Sequence, residues 1–184
     1  MKENLALIEY KELTTKEKLI LYFLLYAFIG WCLETFYAFT VFGHFVKRGF
    51  LYGPICPIYG FGAVLLLINL GNVKKNNFIK FIIAMVAFSA FEFIASWILE
   101  LIFHQRWWDY SDAMFNIQGR ICLSFSILWG FFGLIFINII HPFVKKCADK
   151  LLKKNNVKIQ RIILYSIILG FVVDVILSSI RHIK

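Results

Sequence analysis

Five long apolar runs follow one another along the chain, and short polar segments separate them. A helix needs about 20 apolar residues to cross the hydrocarbon core of a bilayer. Each run reaches or approaches that length, so the pattern predicts an all-α integral membrane protein, a polytopic bundle of about five transmembrane helices. The runs lie near residues 19–42, 54–70, 78–103, 121–143 and 162–180, and the second is the shortest.

The composition agrees with this class of protein. Hydrophobic residues make up 60% of the 184 residues and aromatic residues 18%, whereas a soluble domain is about 45 to 50% apolar. Residues 1–18 alternate acids and bases and lack the apolar core of a signal peptide, so we expect the first span to stay uncleaved. We therefore predict a cytoplasmic segment over residues 1–18 and a single transmembrane helical domain over residues 19–183.

Basic residues between the apolar runs predict how the chain is oriented. Fourteen of the 20 Lys and Arg residues lie in the segments 1–18, 71–80 and 145–161, and six lie on the other side. The positive-inside rule therefore places the N-terminus in the cytoplasm and the C-terminus outside. We expect a multi-pass protein of the cell membrane whose loops at 43–53 and 104–120 are extracytoplasmic. The net charge of +9 indicates topology and contact with anionic lipid, and not nucleic-acid binding.

The segment 48–60 joins the first apolar run to the second and contains several glycines and prolines. Pro54 and Pro57 suit the first turn of a helix, where a missing backbone N–H costs least. A helix that begins at Gly53 and Pro54 would offer free N–H groups close to Arg48 and Lys47, and this combination suits a phosphate or a carboxylate. The alternative is a tight interfacial turn that only starts a span.

The loop at 104–120 is the second segment with candidate chemistry. Trp108 and its aromatic neighbours are typical of the belt that marks a membrane interface. A belt does not account for Asp109, Asn116 and Arg120, whose acceptors and donors could fold the loop over a site. Both interpretations remain open from the sequence.

Ionisable residues inside the apolar runs are candidate functional residues, because placing one near the bilayer centre costs about 2.5 to 3.5 kcal/mol on insertion scales. The acidic ones are Glu34, Glu92, Glu100 and Asp174. Arg48 and Arg120 are the expected charge partners of the three glutamates. Structural ion pairing alone could explain this balance, and so could a ligand site.

Residue spacing places several polar side chains on common helix faces. One stripe in the third run must face the protein interior, and it comprises Ser89, Glu92, Ser96 and Glu100. A small and polar face in the fifth run comprises Ser166, Gly170, Asp174 and Ser178. Such a face favours close helix packing, so we interpret it as packing with one hydrogen-bonded aspartate.

Motifs for metal, nucleotide and nucleophile chemistry are missing from the sequence. The four cysteines form no C-x-x-C pair, and there is no H-E-x-x-H or G-x-S-x-G pattern. There is also no G-x-x-x-x-G-K-[ST] phosphate loop, so this chain cannot hydrolyse ATP by the usual route. We therefore expect no metal, no cofactor and no ATPase activity in the chain itself.

Four stretches of the sequence are together similar to a known family. They read GWCLE at 30–34, RGFLYGPICPIYG at 48–60, WDYS at 108–111 and NIQGR at 116–120. With them, the chain from about residue 20 to residue 145 resembles the bacterial CmpB-like family of ABC-transporter type IV permeases. The resemblance implies a small multi-pass inner-membrane protein that works with a separate ATPase subunit. Its coupling surface would be the basic loop at 145–161, and a transport path would need a homo-oligomer or a partner protein.

The leading hypothesis is an ABC-type permease-like subunit whose polar cavity opens outward to a small or lipid-linked anionic substrate. Arg48 and Arg120 would bind the anion, while Glu34 and Glu92 would hold the arginines in place or carry protons. The other predicted substrate-binding residues are Tyr52, Gly53, Trp108, Asp109 and Asn116.

Two other classes of function fit the same residues. A membrane-embedded enzyme could act on lipid head groups at the outer leaflet, with Glu34, Glu92 or Asp109 as its general base. A non-catalytic membrane subunit would use the polar residues only for folding.

Overall fold

The computed structural model describes residues 12–71, 76–154 and 156–183. Most of the predicted N-terminal segment at 1–18 lies outside the described residues. So does the centre of the basic segment at 71–80.

Helices form almost all of the described structure, which confirms the predicted all-α fold. The exception is a pair of two-residue antiparallel strands, β1 (Asn116–Ile117) and β2 (Ile121–Cys122). The five helices of the described residues are α1 (Thr15–Phe42), α2 (Pro57–Leu70), α3 (Asn77–Phe103), α4 (Leu123–Ile135, continued by the π-helical stretch Phe136–Ile140 and by His141–Lys154) and α5 (Val157–Ile183).

Local capping chemistry determines where α1 begins and ends. Thr14 accepts a hydrogen bond from the backbone N–H of Glu17 at 3.3 Å, and the Glu17 carboxylate accepts one from the N–H of Thr14 at 2.7 Å. This reciprocal capping satisfies donors that the first helical turn leaves open. Gly43 ends the helix in the left-handed conformation, with φ of 72°, and its N–H donates to the carbonyl of Phe39.

Four of the described helices, α1, α3, α4 and α5, are long and apolar enough to cross a membrane. α2 is apolar but has only 14 residues. At 1.5 Å per residue it extends about 21 Å, which is less than the roughly 30 Å of a hydrocarbon core. The second predicted span therefore needs non-helical residues to complete a crossing.

α4 continues well beyond the predicted span end at 143, so much of the basic loop at 145–161 is helical. Its π-helical stretch, Phe136–Ile140, lies just before Pro142. Proline has no N–H to offer the carbonyl of residue 138, and a local widening of the helix accommodates that loss. The lysine-rich end of α4 is consequently a rigid extension of a span.

The chain forms two compact units. The first unit comprises residues 1–64 and 146–184, and the second unit comprises residues 65–145.

In the first unit, α1 and α5 run in the same direction. The Glu17 carboxylate, at the start of α1, accepts hydrogen bonds from Arg161 Nε at 2.8 Å and from the Tyr165 hydroxyl at 3.0 Å, both near the start of α5. Further along both helices, the rings of Phe23 and Phe171 lie 5.5 Å apart. A parallel first and last helix is the arrangement that five successive crossings produce.

The small and polar face predicted on the fifth run is divided in the structure. Ser178 is fully buried and contacts residues before α2. A Cβ at Gly170, in contrast, would have no described neighbour within 4 Å. The C-terminal part of this face, at Ser178, packs against the segment before α2. Gly170 makes no close helix contact among the described residues.

In the second unit, α3 and α4 pack as an antiparallel pair. A Cβ at Gly130 would lie 2.5 Å from the ring of Phe81, and one at Gly133 would collide with Ala84. Small residues of this kind let membrane helices approach closely. Ser89 completes the contact by donating a hydrogen bond to Ser126 at 2.7 Å.

We predict that Gly60→Ala destabilises the protein and that Gly170→Ala does not. A Cβ at residue 60 would lie 2.6 Å from the carbonyl oxygen of Phe23, and overpacking of this kind costs about 1 to 3 kcal/mol. At residue 170 the Cβ has open space, so better helix propensity should leave stability equal or raise it by up to about 1 kcal/mol. Unfolding in detergent, followed by tryptophan fluorescence, gives the free energy of unfolding of both variants. Equal losses of stability in Gly60→Ala and Gly170→Ala would contradict this packing.

Candidate functional site

A non-helical segment, residues 48–56, precedes α2. Arg48 contacts Glu34 in the second half of α1, and the N–H of Cys56 donates to the carbonyl of Ala27 near the middle of α1, at 3.0 Å. α2 then begins at Pro57, three residues later than the start expected at Pro54. The chain thus follows α1 as irregular, bent backbone and becomes helical only beside the middle of α1.

The backbone of this segment finds its hydrogen-bond acceptor on α5. The N–H of Tyr52 donates to Asp174 Oδ1 at 2.9 Å, and the N–H of Gly53 donates to Asp174 Oδ2 at 2.8 Å. Ser178 donates to the same carboxylate at 3.0 Å. An unsatisfied backbone group costs several kcal/mol in hydrocarbon, so this carboxylate permits irregular backbone there.

These contacts explain Gly53 and also change its expected role. A Cβ at residue 53 would lie 2.9 Å from Asp174 Oδ2, so a side chain would push the carboxylate away. The sequence predicted that N–H groups near Gly53 face an anion. In the structure that anion is the Asp174 side chain. Because the N–H groups of Tyr52 and Gly53 donate to Asp174 from a non-helical segment, helix α2 begins later, at Pro57.

Glu34 of α1 binds the start of the segment, at Arg48, and the first turn of α2, at Tyr59. Its Oε2 accepts hydrogen bonds from Arg48 Nε at 3.3 Å and Nη2 at 3.1 Å, and its Oε1 accepts one from the Tyr59 hydroxyl at 2.6 Å. The side chains of Arg48 and Glu34 are partly exposed, at 39% and 29%. The expected pairing of Arg48 with an intramembrane acid is therefore present, on Glu34.

Two further cations, Lys47 and Arg181, lie against the ring of Tyr52. We call Lys47, Arg48 and Arg181 together the cationic cluster. Lys47 Nζ lies 4.5 Å and the Arg181 guanidinium 4.3 Å from the centre of the Tyr52 ring. Arg181 also donates to the carbonyl of Phe50 at 2.8 Å. The sequence placed Lys47 with Arg48 beside the expected helix start, but Arg181 was used only for topology and was missed as a site residue, because 131 positions separate it from Phe50.

In the second unit, Arg120 is buried and its pairing partner is Glu100. Arg120 Nη2 donates to Glu100 Oε2 at 2.5 Å, and Nη1 donates to Ser96 Oγ at 3.1 Å. Arg106 Nε donates to the other oxygen of Glu100 at 3.1 Å. The Arg120 Nε is buried and has no hydrogen-bond partner among the described residues. Glu100 thus carries two arginines.

Glu92 has neutral partners where an arginine was expected. Its Oε1 accepts a hydrogen bond from the Tyr110 hydroxyl at 2.9 Å, and its Oε2 accepts one from Trp129 Nε1 at 3.0 Å. The side chain lies near the middle of α3 and is buried. The polar stripe predicted on α3 therefore faces the protein, with Ser89, Glu92, Ser96 and Glu100 all in hydrogen bonds.

The candidates in the loop at 104–120 use their polar atoms within the loop itself. Asn116 Nδ2 donates to the carbonyls of Ser111 and Ala113, and its Oδ1 accepts from the N–H of Gly119. Trp108 Nε1 donates to the carbonyl of Arg120 at 3.0 Å. These contacts form a compact loop and leave the amide of Asn116 and the indole N–H of Trp108 in structural roles.

Asp109 is held as an anion at the surface of this loop. Its Oδ1 accepts hydrogen bonds from the Ser111 hydroxyl at 2.5 Å and from the Ser111 N–H at 2.9 Å. These two bonds, and secondarily the charge of Arg106, hold the pKa of Asp109 below its usual range. A carboxyl group in this state is a hydrogen-bond acceptor at neutral pH.

The predicted site residues fall into two groups. The first unit holds Glu34, Arg48, Tyr52 and Gly53, and the second unit holds Glu92, Trp108, Asp109, Asn116 and Arg120. Within the described ranges, no cluster of three or more His, Cys, Asp or Glu side chains could hold a metal ion. Each unit therefore offers its own chemistry, which for the first is a cationic cluster and for the second a buried acid network.

Comparison with known proteins gives one match. A family model described as Putative ABC-transporter type IV matches residues 21–179. Neither the curated proteins nor the solved structures yielded a match.

We predict that Asp174→Asn loosens the segment 48–56. Asparagine has one acceptor oxygen in place of two, so one of the two backbone N–H groups loses its carboxylate partner. The N–H of Tyr52 can keep the Ser178 hydroxyl at 3.1 Å, whereas the N–H of Gly53 would be left without an acceptor, at a cost of about 1 to 3 kcal/mol. In a variant whose other cysteines are replaced by serine, maleimide should label Cys56 faster after Asp174→Asn. Ser166→Ala, an exposed position on the same helix, is the matched control. An unchanged labelling rate would show that Asp174 does not hold the segment.

We predict that Ser111→Ala raises the pKa of Asp109 towards that of an unperturbed aspartate, because it removes the largest of the interactions that favour the carboxylate. In the native protein the stabilisation is fully present above about pH 3.9, the unfolded pKa, and is lost as the pH falls through the lower folded pKa. An NMR titration of the Asp109 carboxyl carbon measures the pKa in the native protein and in Ser111→Ala, with Ser126→Ala as a control. The same titration curve in both variants would contradict the assignment.

Proposed function

We propose a transport function from the premise that this chain belongs to the family described as Putative ABC-transporter type IV. In this proposal the chain is a permease-like membrane subunit that works with a separate ATPase. It receives a small or lipid-linked anionic substrate on its extracytoplasmic side.

The observation that carries the proposal is the broken second crossing. Residues 48–56 run as irregular, bent backbone from the second half of α1 to its middle, and the short helix α2 follows them. In transporters, discontinuous helices of this kind lie at substrate sites near the bilayer midplane. A purely structural bundle has no need of irregular backbone at that depth, because unbroken helices satisfy their own hydrogen bonds.

The charge around this break favours an anion. The cationic cluster places Lys47 and Arg181 on the half-exposed ring of Tyr52, and Arg48 lies at the outer end of the same segment. Glu34 balances Arg48, and the Asp174 oxygens are occupied by backbone N–H groups. An arriving phosphate or carboxylate would therefore meet donors from the three cations, with Tyr52 as a contact surface.

In the second unit, Arg120 is the proposed anion-binding residue because its Nε has no described partner. Glu92 stays in the proposal as a group that carries protons. Trp108, Asp109 and Asn116 shape the extracytoplasmic loop that would enclose a substrate on this unit.

The end of α4 is the proposed contact for the ATPase. His141–Lys154 carries five lysines, and the positive-inside rule places them in the cytoplasm. Phe143 and Leu151 are exposed on the same helical extension. A rigid helix with mixed basic and apolar surface suits an acidic protein partner, although the lysines also suit anionic lipid heads.

Native mass spectrometry of the protein, extracted gently from its own membrane, tests the proposal. We expect an ATPase subunit at fixed stoichiometry. Replacing Lys145, Lys146 and Lys150 by glutamine should release it, whereas the matched control, Lys16→Gln with Lys80→Gln, should retain it. Absence of any ATPase under several mild extraction conditions would overturn the transporter assignment.

The anion site has a separate test in nanodiscs of equal phosphatidylglycerol and phosphatidylcholine. We expect selective retention of phosphatidylglycerol, and we expect Arg181→Gln and Arg48→Gln to remove that selectivity. Because Arg48→Gln alone leaves Glu34 without its cation, the double variant Glu34→Gln, Arg48→Gln is measured beside it. If all three variants keep the selectivity for phosphatidylglycerol, the cationic cluster is not the anion-binding site. Turnover of the lipid without an ATPase would support the membrane-embedded enzyme instead.

A further inference from the structure

Among the described acids of the apolar helices, Glu92 is the buried one that has no cation within 4 Å. Glu17 pairs with Arg161, Glu34 with Arg48, and Glu100 with Arg106 and Arg120. Asp174 accepts two backbone N–H groups and a hydroxyl. Glu92 is buried to 8% exposure, and no described cation lies within 4 Å of its carboxyl group.

The surroundings of Glu92 in the second unit are known from each packed element. α3 itself contributes Ser89 and Ser96, one turn to either side, and then Glu100, which is committed to its arginines. The loop contributes Tyr110, and α4 contributes Trp129. β2 contributes Cys122, which lies near enough to Tyr110 to interact electrostatically. Arg120, which precedes β2, reaches the same face of α3, where it is bound to Glu100 and Ser96.

The two hydrogen-bond partners of Glu92 can serve a neutral carboxyl group as well as an ionised one. Trp129 Nε1 can only donate, so it fixes Oε2 as an acceptor. The Tyr110 hydroxyl can donate or accept, so a proton on Oε1 can point to Tyr110 Oη. An ionised carboxylate would be a buried, unpaired charge at mid-depth, which is strongly unfavourable.

From this geometry we infer that Glu92 is a proton-binding site that couples protonation to the position of the extracytoplasmic loop at 104–120. Glu92 is protonated while Tyr110 is packed over it. When Tyr110 withdraws, water replaces the phenol and the proton leaves to the extracytoplasmic side. Protonation therefore favours the packed loop, and a rise in pH favours the open loop.

Tyr110 links the protonation of Glu92 to the position of the loop at 104–120. Its N–H donates to the carbonyl of Gly119 at 2.7 Å, and its ring stacks on Phe125 of α4 at 4.7 Å between centres. The same residue thus belongs to the loop and covers the acid. The inference goes beyond the proposed transport function and does not require that an ATPase partner exist.

Infrared spectroscopy of the purified protein in nanodiscs tests the protonation state. The native protein at neutral pH should show a carbonyl stretching band of a protonated carboxylic acid. Glu92→Gln should lose this band, and Glu100→Gln, which removes an ion-paired acid on the same helix face, should keep it. If Glu92→Gln does not fold, Tyr110→Phe should shift the band because it removes the hydroxyl partner. A native protein without the band, or a band that both Glu92→Gln and Tyr110→Phe leave unchanged, overturns the inference.

The coupling to the loop needs a second readout. Met114 lies exposed in the loop, so a Met114→Cys variant without other cysteines can be labelled by a membrane-impermeant maleimide. After correction for thiolate content with a model thiol, labelling should rise with pH when Glu92 is present and lose that rise in Glu92→Gln. A corrected rate with the same pH dependence in both variants would show that Glu92 does not control the loop.

Discussion

The hydrogen bonds from the N–H groups of Tyr52 and Gly53 to Asp174 are the contacts on which the first unit depends. Irregular backbone in an apolar environment exposes donors that hydrocarbon cannot satisfy. One carboxylate with two oxygens satisfies two of them and so allows residues 48–56 to leave helical geometry. The segment follows the second half of α1, and the 14-residue helix α2 begins only after it.

The same constraint explains how the chain tolerates so many intramembrane charges. Glu17, Glu34 and Glu100 each have an arginine, and the cost of burying either partner alone is avoided. Glu92 and Asp174 differ from these three, because each has only neutral donors in place of a cation. Of the two, Glu92 is the buried one, and the proposed proton site rests on that burial.

Membership of an ABC-transporter family and the irregular segment before α2 are the two findings behind the proposed transport function. That proposal places an anion beside the segment, where three cations lie. The polar groups of the loop at 104–120 mostly satisfy one another. The cationic cluster is therefore the better candidate for direct contact with an anion.

The sequence by itself determined the all-helical class, the number and approximate limits of the apolar runs, and the family, because hydropathy and motif spacing are local properties of the chain. It also identified the intramembrane acids. Only the tertiary structure decided their partners, since Tyr52 and Asp174 are 122 positions apart and local periodicity carries no information about such pairs. For that reason Arg181 was missed, Glu92 was expected beside an arginine, and α2 was expected to start at Pro54. Pairing across the fold, and not residue type, separates a carboxylate that holds backbone N–H groups, such as Asp174, from a buried one that has only side-chain donors, such as Glu92.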